Sequence, residues 1–203
     1  MIKNIQYSDK EIDIFNGLIE LIKGGANPYS IKVSDIALAS NVGKGTIYDY
    51  FSSKEEAISK AIIFNINNEV SVALERLKSK KYFKDRFYEL LQIIIDNFET
   101  NICTLKMLLS TGGLQEFYEY LIDDKYDLSK LMLIINEEVD ALLEMGFKEE
   151  IIKTSESKYY QIMAIQGALS GFSHYMGQRK FFENTSIKEA MDTSYRILVK
   201  SLN

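Results

Sequence analysis

The stretch from Val33 to Lys54 reads VSDIALASNVGKGTIYDYFSSK. It predicts two short helices, about 33–40 and 44–50, joined by a tight turn at Asn41-Val42-Gly43. Val33, Ile36 and Ala37 fall on the inward face of the first, and Ile47 with Phe51 on that of the second. Ala37 is small, which lets the following helix cross closely, and Val42 and Ile47 supply apolar contacts beneath the crossing. A pair of this kind places its second helix in the major groove of B-DNA. The residues that packing does not claim, Lys44, Thr46, Tyr48, Asp49 and Tyr50, are polar or amphipathic, as a groove-reading surface requires.

Upstream, Ser8 followed by Glu11 forms a capping box. Ile12, Phe15, Ile19 and Ile22 then recur at helical spacing, and Gly24-Gly25 with Pro28 ends this first helix. Downstream, Ser52 with Glu55 and Ser53 with Glu56 form two overlapping capping boxes that open a long fourth helix to about Ser79. Further helices are expected at about 84–101, 104–111, from 114 to a break at Asp123-Asp124, from Leu128 to Met145 with a stop at Gly146, at 155–178 and at 187–202. No stretch alternates with period two, so no sheet is expected. The fold class is all-α: a three-helix head followed by a larger helical body. The division is set at residues 1–53 and 54–203, with the boundary at the fourth helix rather than in a flexible linker.

Composition bounds the function. The 203 residues are 46% hydrophobic, enough to bury a core, with one proline and few glycines. A single cysteine, Cys103, excludes an intrachain disulfide, and no apolar run reaches the length of a membrane span. Neither does the N-terminus carry the apolar stretch of a signal peptide. The expectation is a cytoplasmic protein without a membrane partner. The net charge is −5, and residues 1–63 hold seven lysines against eight carboxylates. There is no basic patch, so any DNA contact depends on a few placed residues.

The strings Ile36-Ala37, Gly43-Lys44-Gly45-Thr46-Ile47-Tyr48 and Tyr50-Phe51-Ser52-Ser53-Lys54-Glu55 resemble the TetR family of transcriptional regulators. The resemblance is specific over residues 8–63; beyond them only length and helical character agree. It implies a homodimeric regulator that binds double-stranded operator DNA, with Lys44, Gly45 and Thr46 at the start of the recognition helix near base edges and backbone. Tyr48 and Tyr50 are similar to residues that hydrogen-bond phosphates, and Lys54 would meet a phosphate at the start of the fourth helix. Two departures stand out. Gly43 replaces the frequent serine cap, and Asp49 puts a negative charge on the recognition helix, where it points away from phosphate or accepts from a cytosine amino group.

The resemblance also implies that the last two helices pair with their copies. Ile162, Gln166, Leu169, Ser173 and Met176 form one stripe, with Gly167, Ala168 and Gly171 close by. Ile187, Met191, Ser194, Ile197 and Leu198 form the second. The alternative is that both stripes bury against the same subunit. The middle of the chain is expected to hold an effector pocket for a small apolar or aromatic ligand. Met107, Phe117, Tyr118, Tyr120, Met132, Phe172, His174 and Tyr175 are the candidate contacts, against the plainer reading of ordinary core.

With one histidine and one cysteine, no multi-His or Cys-rich metal site can be built, and no catalytic set stands out. No cofactor and no enzyme activity are expected. Adjacent acids at Glu55-Glu56, Asp123-Asp124 and Glu137-Glu138 read as solvated faces. The function expected is a repressor released from a near-palindromic operator by its ligand. The alternatives are a TetR-like DNA-binding factor without an effector, and a helical enzyme or lipid carrier.

Overall fold

Eight helices account for nearly all regular structure in the computed structural model, which describes residues 7–99 and 128–203. They are α1 (Asp9–Lys23), α2 (Val33–Ala39), α3 (Lys44–Tyr50), α4 (Lys54–Lys78), α5 (Phe83–Glu99), α6 (Leu128–Lys148), α7 (Lys158–Gly177) and α8 (Ile187–Ser201). Two single 3-10 turns, Pro28–Ser30 and Arg179–Phe181, were not foreseen. No strand occurs among the described residues. The helices expected over 104–111 and after 114, together with Cys103 and Asp123-Asp124, lie outside the described residues.

Residues up to Ser71 belong to one compact unit, and Val72–Glu99 with Ile134–Asn203 to a second. In the first, Ser8 caps α1 and forms the expected box with Glu11, whose carboxylate accepts from the Ser8 amide at 2.9 Å. The buried face of α1 is Ile14, Phe15, Leu18 and Ile19. The expected face is thus turned part of a helical step, because Ile12 and Ile22 lie at its margins and Ile14 and Leu18 at its centre. These residues join Ile36, Ile47, Phe51, Ala57, Ile58, Ala61 and Ile62 in one core. Each large side chain buried there contributes roughly 1.5–3 kcal/mol. Phe15 stacks at tilted angles on Phe51 (5.7 Å between centroids) and Phe64 (5.2 Å), and Tyr7 meets Phe15 and Phe64 edge-on. The expected division at 53/54 falls where α4 starts, and α4 supplies Ala57, Ile58, Ala61, Ile62 and Ile66 to this core.

The second unit is built on Phe83, Phe87, Leu91 and Ile95, spaced by one turn along α5. They pack with Leu142, Leu143, Ile152, Ile165, Ala168, Phe172, Tyr175, Leu198 and Leu202. Gly146 does not end α6, which runs on to Lys148. A side chain at Gly146 would stand 2.8 Å from Ile152 Cγ1 and 3.0 Å from Phe83 Cδ2, so this glycine serves close packing rather than termination. The turn comes at Glu150, with φ of 58°, and the Gly146 carbonyl accepts from the Ile151 and Ile152 amides. Similarly, α7 starts at Lys158 with Ser157 as its cap, three residues later than expected.

Several charged groups in this unit are paired, including Glu138, which reads as solvated from sequence. Glu138 accepts from the buried Arg86 at 2.6 Å. Arg76, near the end of α4, reaches Glu89 at 2.6 Å and Asp96 at 2.7 Å. The Tyr88 hydroxyl donates to Asp192 and ties α5 to α8; burial and this carboxylate push its pKa up to about 12.

Candidate DNA-binding interface

The seven residues of α3 make two turns, too few for a helix to persist alone in water. It is held from behind by Ile47 and Phe51, both almost wholly buried. The turn before it is set by Asn41, whose φ of 52° is left-handed, a conformation asparagine tolerates well. The Val42 amide donates to the Ala37 carbonyl at 3.0 Å and closes the end of α2. Gly43 caps α3 without a side-chain bond.

This anchoring turns Lys44, Gly45, Tyr48, Asp49 and Tyr50 outward, while Thr46 is half-buried. Tyr48 and Tyr50 expose 56% and 41% of their surface, far more than a packed tyrosine would. Lys54 is the first residue of α4, with its ammonium 3.5 Å from Glu55. The structure therefore brings the six sequence-derived DNA residues to one short helix and the start of the next. Leu38 on α2 is 84% exposed and has no part in the inward face of that helix.

Residues 26–59 match the family model of bacterial regulatory proteins, tetR family. The chain is thus similar to the TetR family over this helix-turn-helix segment. That segment holds α2, the turn and α3, the two short helices of a helix-turn-helix. No curated protein sequence matches it. Among solved structures, the transcriptional regulator FadR from Bacillus subtilis in complex with stearoyl-CoA aligns with a TM-score of 0.62 and 17% identity, covering 95% of this chain and 97% of that one. The fatty acid degradation regulator FadR from Bacillus halodurans aligns with a TM-score of 0.63 and 17% identity over 96% of each chain. A TetR family transcription regulator from Marinobacter aquaeolei VT8 gives 0.50 and 14% over 95% of each. At these identities the likeness is one of fold, and the alignments cover residues of both units.

The candidate effector and dimer residues separate. Phe172 and Tyr175 sit in the second core, with ring centroids 6.1 Å apart, and the Tyr175 hydroxyl donates to the Thr185 carbonyl at 2.7 Å. His174 is on the exposed side of α7 and does not join them. Met107, Phe117, Tyr118 and Tyr120 lie outside the described residues, and Met132 is described in its α6 backbone alone.

Of the dimer residues, Ser194 and Leu198 are buried within the chain, and Ser194 Oγ donates to the Ala168 carbonyl at 2.8 Å. Leu169, Met176 and Met191 pack partly against the same core, and Ile162 and Ser173 are half-buried. Gln166 alone of the expected residues on α7 is exposed, and it shares the outward face with Tyr160, Met163, Gly167, Ser170 and His174. Sequence alone could not choose between these faces, because α7 is apolar around much of its circumference and two stripes at helical spacing coexist.

Among the described residues no helix is long and apolar enough to cross a membrane, and no group of three acidic, histidine or cysteine ligands comes together.

Proposed function

We propose that this protein is a homodimeric, cytoplasmic repressor that holds a near-palindromic operator and is released by a small apolar ligand. The observation that carries this reading is α3: Lys44, Gly45, Tyr48 and Asp49 face outward together while Ile47 and Phe51 fix the helix from the opposite side. Lys44 and Thr46 read base edges, and Tyr48, Tyr50 and Lys54 hold phosphates. Residues 1–53 carry the DNA contacts, and 54–203 the effector and the dimer contacts.

Dimerisation is supported by the outward face of α7. Met163 and Tyr160 are 45% and 42% exposed, and side chains built on Gly167 and Gly171 would meet nothing within 4 Å. A second copy approaching there would cover apolar surface that the single chain leaves in water. His174 belongs to that surface, not to the ligand. Phe172 and Tyr175 are the described residues offered as ligand contacts. The FadR structure bound to stearoyl-CoA makes a long-chain acyl thioester the first compound to test.

Selection of genomic fragments followed by footprinting tests the DNA half. The expected result is a near-palindrome whose half-sites lie one helical turn, ~34 Å, apart. Equal binding to random duplexes would sink it. Titrating the bound operator with acyl-CoA thioesters of increasing chain length tests the ligand half. Release is expected, and an operator that none of them dislodges rejects the acyl thioester as effector.

A further inference from the structure

The three-residue turn between α3 and α4, Phe51-Ser52-Ser53, is enclosed by a ring of polar contacts. Glu56, in the first turn of α4, accepts on one carboxylate oxygen from both the amide (2.7 Å) and the hydroxyl (2.6 Å) of Ser52. The Ser53 hydroxyl accepts in turn from the Glu56 amide at 3.0 Å. The expected box of Ser52 with Glu55 is thereby replaced by Ser52 with Glu56. Lys60, one turn further on, bonds the other carboxylate oxygen, and its ammonium stands 5.9 Å from the ring centroid of Phe51, which caps α3. Both side chains of the ion pair are mostly covered, at 16% and 15% exposure. Burial pushes the Glu56 pKa up, but the bonds from Lys60 and Ser52 outweigh it and hold the carboxyl below the usual range.

Tyr50 and Lys54 flank this turn, two residues to either side of Ser52. Two side chains that grip neighbouring phosphates must keep a fixed separation, and a short connector between helices has no ladder of its own to keep it. Resting on the DNA-binding function proposed above, we infer that Glu56 is a positioning residue for phosphate recognition. It locks the α3–α4 turn so that Tyr50 and Lys54 meet the DNA backbone together. Glu56 itself touches no phosphate: its charge is neutralised by Lys60 and its acceptors are filled by Ser52.

The experiment uses the operator selected by the wild-type protein and measures dissociation constants against salt concentration, well below the melting temperature of each variant. Glu56→Ala should weaken binding by about tenfold or more. The loss should be alike for every operator variant, because phosphate contacts carry no base information. The slope of log K against log salt should become shallower by about 1, as the Lys54 contact is lost. Glu56→Gln keeps an oxygen that can accept both Ser52 donors and should recover most of the affinity. Protection of the Ser52 amide from exchange should fall in Glu56→Ala and return in Glu56→Gln.

Unchanged affinity and slope in Glu56→Ala overturn the assignment, as does a loss with unchanged slope that Glu56→Gln fails to repair. Should Glu56→Ala not fold, Ser52→Ala removes one of the two donors and should weaken binding in the same direction by less; unchanged binding there overturns it equally. A wild-type protein that selects no operator overturns the function and this assignment together. Wild-type binding left intact by Glu56→Ala overturns this assignment alone.

Discussion

Gly17 on α1 faces Ser40, which caps α2: a methyl group placed on Gly17 would stand 2.8 Å from the Ser40 amide nitrogen and 2.9 Å from the Ala39 carbonyl carbon. Backbone atoms cannot swing aside as a flexible side chain can. The close crossing in the head is therefore made here, between α1 and the end of α2. Gly17→Ala should destabilise the head by ~1–3 kcal/mol through overpacking. Gly45 on α3 is the contrast, since a side chain there would meet nothing within 4 Å. Gly45→Ala should raise helix stability by about 0.5–1 kcal/mol while lowering operator affinity, because the methyl group would stand on the DNA-facing surface. Urea unfolding of both variants checks the opposite signs.

Phosphate and base contacts should separate by mutation. Tyr48→Phe and Lys54→Ala are expected to weaken all DNA sequences alike, and Lys54→Ala also to reduce the salt dependence. Changes at Lys44 or Thr46 should alter sequence preference as well. Binding curves on a panel of operator variants make the comparison, and unchanged affinity in Tyr48→Phe and Lys54→Ala would remove both from the interface.

Placing a charge on the outward face of α7 should split the proposed dimer. Met163→Glu leaves the inward residues Ile165, Ala168 and Phe172 untouched, so the chain should stay folded. Sedimentation is expected to report a monomer with native helix content. A dimer that survives this substitution would place the interface elsewhere.

Acid should loosen the second unit in a way that depends on Arg76. Burial raises the pKa values of Glu89 and Asp96. Bonds from Lys80 and Arg76 to Glu89, and from Gln92 and Arg76 to Asp96, more than offset it, so both carboxyls lie below their ordinary values. A carboxyl with a depressed folded-state pKa contributes stability that is complete above its unfolded pKa and is lost as pH falls through the folded one. Urea midpoints should therefore start to fall as the pH drops below about 4–5, the range of the unfolded carboxyls, and go on falling through the lower folded-state values. Arg76→Met should be less stable near neutrality and show a flatter fall. Parallel curves for the two proteins would mean that Arg76 does not set these pKa values.

The head was readable because its signals are local. Ser8 and Glu11 are three residues apart, Asn41-Val42-Gly43 has the chemistry of a turn, and Ile47 and Phe51 have no alternative but to face inward. What escaped depends on residues distant in sequence. Gly146 looks like a helix stop until Ile152 and Phe83 are seen to need its space, and Gly17 gives no sign of Ser40. Ser194 looks like an interface residue until its hydroxyl is found on the Ala168 carbonyl. Glu138 looks solvated until Arg86, more than fifty positions earlier, is found against it. The exposure of the candidate DNA residues was legible for the first reason, and the faces of α7 were not for the second.

The brevity of α3 has a consequence for warm cells. Seven residues stay helical only while Ile47 and Phe51 have a core to dock into, so the reading surface and the cluster around Phe15 melt as one. Heat that loosens the cluster erases the DNA-reading surface without any molecule binding. A substitution in the head's interior that lowers its stability should therefore also lower the temperature at which any contact made through α3 is lost.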